Sequence, residues 1–228
     1  MDDHRRPMAG RDDSASDHGS SLTGVGNGEP AWDERYASTE QMWSGQPNSA
    51  LVTEVGGLEP GRALDVGCGE GADAIWLTTK GWRVTAIDVS EVALQRAARA
   101  AEQTDVSVEW VHAGLLDTPL PSSSFDLVSA QYPALLRTPT HDAGRALVAA
   151  VGSGGHLLVV HHVLDDVDIA EAKARGFDPS DYVSPGDVAA LLGEGWRVEF
   201  DERRPRQLSA GAGVRHTHDV VLHAQRLS

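Results

Sequence analysis

The chain contains one cysteine, Cys68, in 228 residues. An intrachain disulfide and any metal site built from several cysteines are thereby excluded. Basic residues are also scarce, with 19 Lys and Arg against 34 Asp and Glu and a formal net charge of −15. Six of the acids and three arginines lie in the first thirty residues, which leaves −12 on the remainder. Such a surface repels a phosphate backbone and lacks the basic stripe of a nucleic-acid binder. Only a local basic patch would override it. No apolar run approaches the ~20 residues of a membrane helix, and the acidic N-terminus lacks the basic and apolar zones of a signal peptide. The expectation is a soluble, cytoplasmic protein with neither nucleic-acid nor membrane partners. Internal repeats are absent, and nothing in the composition speaks to oligomeric state.

Apolar residues make up 40% of the chain, ample for a core. Residues 1–30 are rich in Asp, Ser and Gly without hydrophobic periodicity, so a disordered tail is expected there and one domain over 31–228. Trp32, Tyr36, Met42, Trp43, Leu51 and Val55 recur among polar neighbours and predict one or two amphipathic helices over 31–58. The run Ser44-Gly45-Gln46-Pro47 breaks them. From residue 60, apolar runs at 63–66, 84–87, 106–111, 125–130 and 156–160 alternate with helical patterns at 72–80, 90–103 and 142–151. Parallel strands need such crossover helices, so the α/β order predicts a doubly wound sheet with helices on both faces. A helix at 185–192 then precedes strands at 196–201 and 214–224, with Pro205, Gly211 and Gly213 between them. Two strands joined without a helix predict an antiparallel pair at the sheet's end.

The first strand runs into Gly67-Cys68-Gly69-Glu70-Gly71 and then a helix. Glycines there let a ligand approach the backbone, and the helix start offers free N–H groups. The spacing Gly67, Gly69, Ala72 also fits the dinucleotide fingerprint, so a nicotinamide-dependent oxidoreductase is one candidate. Asp65 lies two residues before the first glycine. A carboxylate there repels a pyrophosphate and attracts an ammonium or a sulfonium, unless it only caps the turn. Asp88 closes the second strand 23 residues later, placed to grip ribose hydroxyls, a role that fits either kind of nucleoside cofactor.

The runs Leu64-Asp65-Val66-Gly67-Cys68-Gly69-Glu70-Gly71, Ala86-Ile87-Asp88-Val89-Ser90 and Phe125-Asp126-Leu127-Val128 resemble motifs I, II and IV of class I S-adenosylmethionine-dependent methyltransferases. Gly154-Gly155 resembles the Gly-Gly opening of that family's fifth strand. The resemblance implies a Rossmann-like seven-stranded sheet in the order 3-2-1-4-5-7-6 with strand 7 antiparallel, and S-adenosylmethionine as cofactor. The cofactor-binding set it implies is Tyr36, Trp43, Asp65, Gly67, Cys68, Gly69, Asp88, Val89, Gly114, Leu115 and Gln131. Residues 32–48 are further similar to the tellurite-resistance and thiopurine methyltransferase-like branch, where this segment is a lid over the methionine end. Tyr36 and Trp43 would then either face a sulfonium through their rings or simply anchor a helix on the core. The family often carries an acid where this chain has Gly114. The adenine contact must then come from elsewhere, such as Asp117 or a backbone carbonyl, with Leu115 packing the ring.

Ligands of open α/β sheets sit beyond the carboxyl ends of the strands. Gln131 and Tyr132 follow strand 4 there, His161 and His162 follow strand 5, and His216 and His218 lie near the start of strand 7. Residues two apart share a strand face, so His216 and His218 are expected to meet one of His161 and His162. Three roles fit this group: a general base, a metal site, or polar strand residues at a cleft rim. His112, His141, His156 and His223 read as rim or surface residues. Cys68 suits close packing rather than nucleophilic work. Arg203, Arg204 and Arg206 fall in the expected connection between strands 6 and 7, either drawing in an anionic substrate or simply solvated. The expectation is an enzyme that methylates a small molecule: a thiol, a metalloid oxyanion or a compact natural product. A non-catalytic domain holding the nucleoside as a regulatory ligand is the alternative from another class.

Overall fold

The computed structural model describes residues 29–174, 176–206 and 216–227. The tail at 1–28, Gly211, Gly213 and the first residues of the expected last strand lie outside them. The elements run α1 (Glu29–Ala37), α2 (Ser49–Val55), β1 (Arg62–Val66), α3 (Ala72–Thr79), β2 (Arg83–Asp88), α4 (Glu91–Gln103), β3 (Glu109–His112), β4 (Phe125–Gln131), α5 (Asp142–Ala150), β5 (Val151–His162), α6 (Asp166–Ala174), α7 (Pro185–Ala189), β6 (Trp196–Pro205) and β7 (His218–Arg226). All seven strands form one sheet in the order β3-β2-β1-β4-β5-β7-β6. β7 is antiparallel to both neighbours, and the other described pairs are parallel.

Strand alternation sorts the core into two layers. On one face Leu64, Val66, Val128 and Val159 pack against Leu147 of α5 and Val188 of α7. On the other, Ala63, Leu127, Leu158 and Val160 pack against Leu51 and Val55 of α2 and Leu77 of α3. Each fully buried Leu or Val contributes roughly 1.5–3 kcal/mol. The second layer matters for the site, because Asp65 and His162 continue the alternation of Ala63 and Val160 on that face.

Three differences from the sequence reading have local causes. β5 begins at Val151, so Gly154-Gly155 lie inside the strand and not at its start. The register jumps there from Phe125↔Val151 to Leu127↔His156, a bulge. A Cβ on Gly155 would stand 2.7 Å from the Phe125 carbonyl oxygen. β6 extends to Pro205, so Arg203 and Arg204 belong to the strand and not to a connection. α6 carries no buried residue, and a helix without a buried stripe leaves no periodic signal to read.

Candidate active site

The glycine turn is bent by three left-handed residues, Gly67, Gly69 and Gly71, at φ of 71°, 54° and 82°. The N–H groups of Gly67 and Cys68 both donate to the Ile87 carbonyl, at 2.9 and 3.1 Å. Asp88 accepts from Gly69 N–H (2.8 Å) and Ser90 N–H (2.9 Å). Its carboxylate therefore fastens the turn to the end of β2, a task the spacing alone did not reveal. Each oxygen keeps a further acceptor position for a hydroxyl.

A cavity of about 220 Å³ opens above this turn. All eleven residues of the expected cofactor set line it, and so does His162. Tyr132, Pro133, Ala134 and Leu135 form the wall beyond β4. Asp117 stands behind Gly114, exposed and outside the lining.

The N-terminal segment covers the cavity through contacts the sequence did not disclose. Glu70 accepts from Met42 N–H and Trp43 N–H at 3.0–3.2 Å and pairs with Arg96 at 2.9 Å. Arg96 in turn donates to the carbonyls of Tyr36 and Thr39. Asp73 accepts from the backbone and side-chain amides of Asn48, both at 2.7 Å. Asp33 accepts from the Ser90 hydroxyl and from Val92 N–H at the start of α4. Acidic side chains thus hold the segment down. Trp43 donates its indole N–H to the Tyr36 hydroxyl at 3.0 Å, directly over the turn. A Cβ on Gly69 would stand 2.8 Å from that hydroxyl and 3.3 Å from the indole nitrogen. Gly69→Ala should therefore displace the covering segment. The positive φ adds strain, and we expect a loss of about 1–3 kcal/mol in chemical denaturation.

Asp65 is buried, and among the described residues its Oδ2 has no hydrogen-bond partner. Burial, then Asp73 and Asp88 beside it, push its carboxyl well above the usual range, while Ala74 N–H pulls the other way. Burial also raises Asp73 and Asp88, each partly offset by the N–H groups it accepts. Burial and these acids drive the Cys68 thiol up, so it is a packing group. This wall is anionic and under-satisfied. It suits a ligand that brings a cation and several donors, and it opposes a pyrophosphate. Gln131 also leaves its Oε1 buried without a partner among the described residues, while its amide nitrogen bonds the Ser129 hydroxyl.

The histidines gather only in part as the sequence suggested: His216 meets His162, while His161 and His218 stand apart. His162 and His216 stack with ring centroids 4.5 Å apart, and Tyr132 stacks on His162 at 4.1 Å. His161 points to the opposite face by alternation. Burial depresses it to a pKa of about 4, and its Nε2 has no hydrogen-bond partner among the described residues. His218 is exposed against Thr217, because β7 begins only at His218 and the two-residue rule does not reach back to His216. The group that organises the cluster is Asp219, buried and unmarked by any motif. It accepts from Tyr132 OH at 2.8 Å, pairs with Arg206 at 3.3 Å, and meets His162 Nδ1 at 3.0 Å. His216 Nδ1 lies 3.4 Å from Asp168 of α6. Among the described residues no three His, Cys, Asp or Glu side chains converge to hold a metal ion.

Two of the remaining histidines are not surface residues. His223 is buried, bonded to His156 (3.0 Å) and to Glu54 of α2 (3.0 Å), and Glu54 also pairs with Arg204. This line ties α2 to β5, β6 and β7, and it takes Arg204 out of any role as a solvated attractant.

A 3-2-1-4-5-7-6 sheet with an antiparallel β7 and a glycine turn after β1 is the class I methyltransferase fold. Residues 63–155 match the family described as "Methyltransferase domain". The family match and the sheet order together make the chain similar to class I methyltransferases, which use S-adenosylmethionine. It is 28% identical over 187 residues to the 27-O-demethylrifamycin SV methyltransferase of Amycolatopsis mediterranei (strain S699), covering 79% of this chain and 57% of that protein. An uncharacterized methyltransferase of Mycobacterium tuberculosis (strain ATCC 25618 / H37Rv) is 31% identical over 125 residues, 54% of this chain and 62% of that one. The chain therefore spans only about 57–62% of these relatives. Among solved structures, a protein from work on conversion of a disulfide bond into a thioacetal group during echinomycin biosynthesis shares the fold. Its TM-score is 0.68 at 23% identity, covering 87% of this chain and 92% of that one. The N-methyltransferase NodS of Bradyrhizobium japonicum WM9, in complex with S-adenosylhomocysteine, superposes at a TM-score of 0.58 and 20% identity, over 86% and 87%. Among the described residues no helix is long and apolar enough to cross a membrane.

Proposed function

We propose that the protein transfers a methyl group from S-adenosylmethionine to a small molecule. The observation that carries this reading is the orphaned Asp65 Oδ2 on the anionic wall beside the glycine turn. The residues fit the cofactor as follows. Asp65 takes the ammonium, Asp88 the ribose hydroxyls, and Val89, Gly114 and Leu115 the adenine side. Cys68 and the backbone at Gly67 and Gly69 pack against the cofactor, and Gln131 offers its free oxygen beside them. Tyr36 and Trp43 close the methionine end. When bound, the cofactor supplies an activated methyl on a good leaving group, so the protein's work is positioning and the exclusion of water. The covering segment 31–58 does the second, held by Glu70, Asp73 and Arg96.

His162, with His216 stacked behind it, faces the acceptor beside the apolar wall at 133–135. That wall favours a compact organic acceptor, and the relatives named for rifamycin and echinomycin chemistry support a natural product. The likeness of residues 32–48 to the tellurite-resistance and thiopurine branch favours a second reading, a thiol or metalloid oxyanion. The net charge of −15 argues against nucleic acid as acceptor. Methyl-labelled cofactor offered with phenols, alcohols, thiols, amines and metalloid oxyanions tests the proposal. Transfer to at least one class is expected. Tight S-adenosylhomocysteine binding without transfer to any class would instead favour a regulatory domain.

A further inference from the structure

On the methyltransferase reading above, we infer that the acceptor carries an un-ionised hydroxyl, that His162 Nε2 removes its proton, and that Asp219 is the positioning residue that holds the neutral ring's own proton on Nδ1 and so leaves the Nε2 lone pair free. The Asp219 carboxylate is buried and spends its two oxygens on different tasks. Oδ2 takes the Tyr132 hydroxyl and the Arg206 guanidinium, and Oδ1 meets His162 Nδ1. A carboxylate offers only acceptors, so Nδ1 must carry the ring proton. In the neutral ring Nε2 is then a lone pair. No described residue bonds Nε2, and His162 lines the cavity. The ring cannot rotate away, because Tyr132 stacks on it at 4.1 Å and His216 at 4.5 Å.

Two features show how firmly the arrangement is held. Tyr132 takes a left-handed φ of 54°, strained for a non-glycine residue, and this backbone turn carries its hydroxyl to Asp219. Burial and then the Asp219 charge drive the Tyr132 phenol up, so it stays a neutral donor. Arg206 lies over the Tyr132 ring at 5.3 Å and donates to the His216 carbonyl, which joins both flanks of the stack.

A buried acid and an oriented imidazole are costly to assemble, and acceptors differ in their need for them. A thiol ionises near neutrality, and an amine attacks through its lone pair and sheds its proton afterwards. A hydroxyl is the acceptor that gains most from losing its proton as it attacks. In that step the O–H proton moves to Nε2 while the oxygen takes the methyl carbon, and the C–S electron pair stays with sulfur. The products are a methyl ether, the thioether and an imidazolium beside Asp219, which returns its proton to water. The charged and titratable groups facing His162 are Asp219 of β7, Tyr132 after β4, His216 before β7 with Asp168 of α6 behind it, and Arg206 after β6. His161 is its chain neighbour.

Long-range 1H–15N correlation on labelled protein bound to S-adenosylhomocysteine reads the tautomer directly, with His162→Gln assigning the signal. At a pH where the ring is neutral, the proton is expected on Nδ1 in the wild type and shifts to Nε2 in Asp219→Asn, whose amide donates to Nδ1. Kinetics with phenol and nitrated phenols form the second arm. Asp219→Asn should slow transfer to phenol by about 10²–10⁴-fold. It should slow transfer to a nitrated phenol, already ionised, far less, with S-adenosylhomocysteine affinity unchanged. A wild-type proton on Nε2, or equal slowing of both phenols, overturns the inference. Transfer to thiols with none to any phenol also overturns it but leaves the methyltransferase reading standing. Loss of S-adenosylhomocysteine binding by the wild type would remove both.

Discussion

Asp65→Asn is expected to weaken S-adenosylhomocysteine binding by about 10²–10³-fold while making the ligand-free protein more stable. The two effects share one cause. The Asp65 Oδ2 is buried without a partner among the described residues, beside Asp73 and Asp88. Its folded carboxyl titrates above the unfolded one, so its contribution to stability is fully present below the unfolded value and lost as pH rises through the folded one. At neutral pH it is a cost, and removing it should raise Tm by a few degrees, as single stabilising substitutions commonly do. The ligand's ammonium reverses the balance, because it pairs with the ionised form. Truncating one side of a desolvated charge pair costs about 2–5 kcal/mol. Binding to the wild type should therefore release protons, increasingly so as pH falls through the raised range, and binding to Asp65→Asn should not. Calorimetry in buffers of different ionisation enthalpy measures this release. Equal affinity in the two proteins would show that the ammonium lies elsewhere.

Glu54→Ala should destabilise the fold by about 2–4 kcal/mol, although Glu54 touches neither the cavity nor the cluster around Asp219. Its carboxylate is 5% exposed and bonds His223 on one side and Arg204 on the other. Breaking a buried pair by removing one partner leaves the other unpaired, typically costing about 3–5 kcal/mol. The lower figure applies because Arg204 keeps Glu202 and is 22% exposed. Glu54→Gln should lose less, since its amide still accepts from one partner. Urea unfolding at neutral pH measures both variants. A change below about 0.5 kcal/mol for Glu54→Ala would mean that the line from α2 to the sheet is solvated and contributes little.

How far the sequence could be read depended on the range of the contacts. The β1 turn, Asp65 and Asp88 were legible because glycine spacing and strand ends are local signals. Strand order came from the resemblance, and the antiparallel last pair from the missing crossover helix. What escaped notice joins residues far apart. Asp219 lies 57 positions from His162, and no pattern links them. The His216/His218 spacing instead suggested a pair on one strand face, and the strand starts too late for that. Glu54 and His223 are 169 positions apart, so His223 read as a rim or surface residue and nothing in the sequence marked Glu54. The bulge at Gly154-Gly155 was hidden for a different reason, since glycines at a strand start and glycines inside a bulge leave the same trace.

Titration of the wild-type protein with S-adenosylhomocysteine and, separately, with NAD tests the central claim most directly. The Asp65 wall and the covering segment predict saturable one-to-one binding of S-adenosylhomocysteine and none of NAD. Binding of NAD alone would contradict the account.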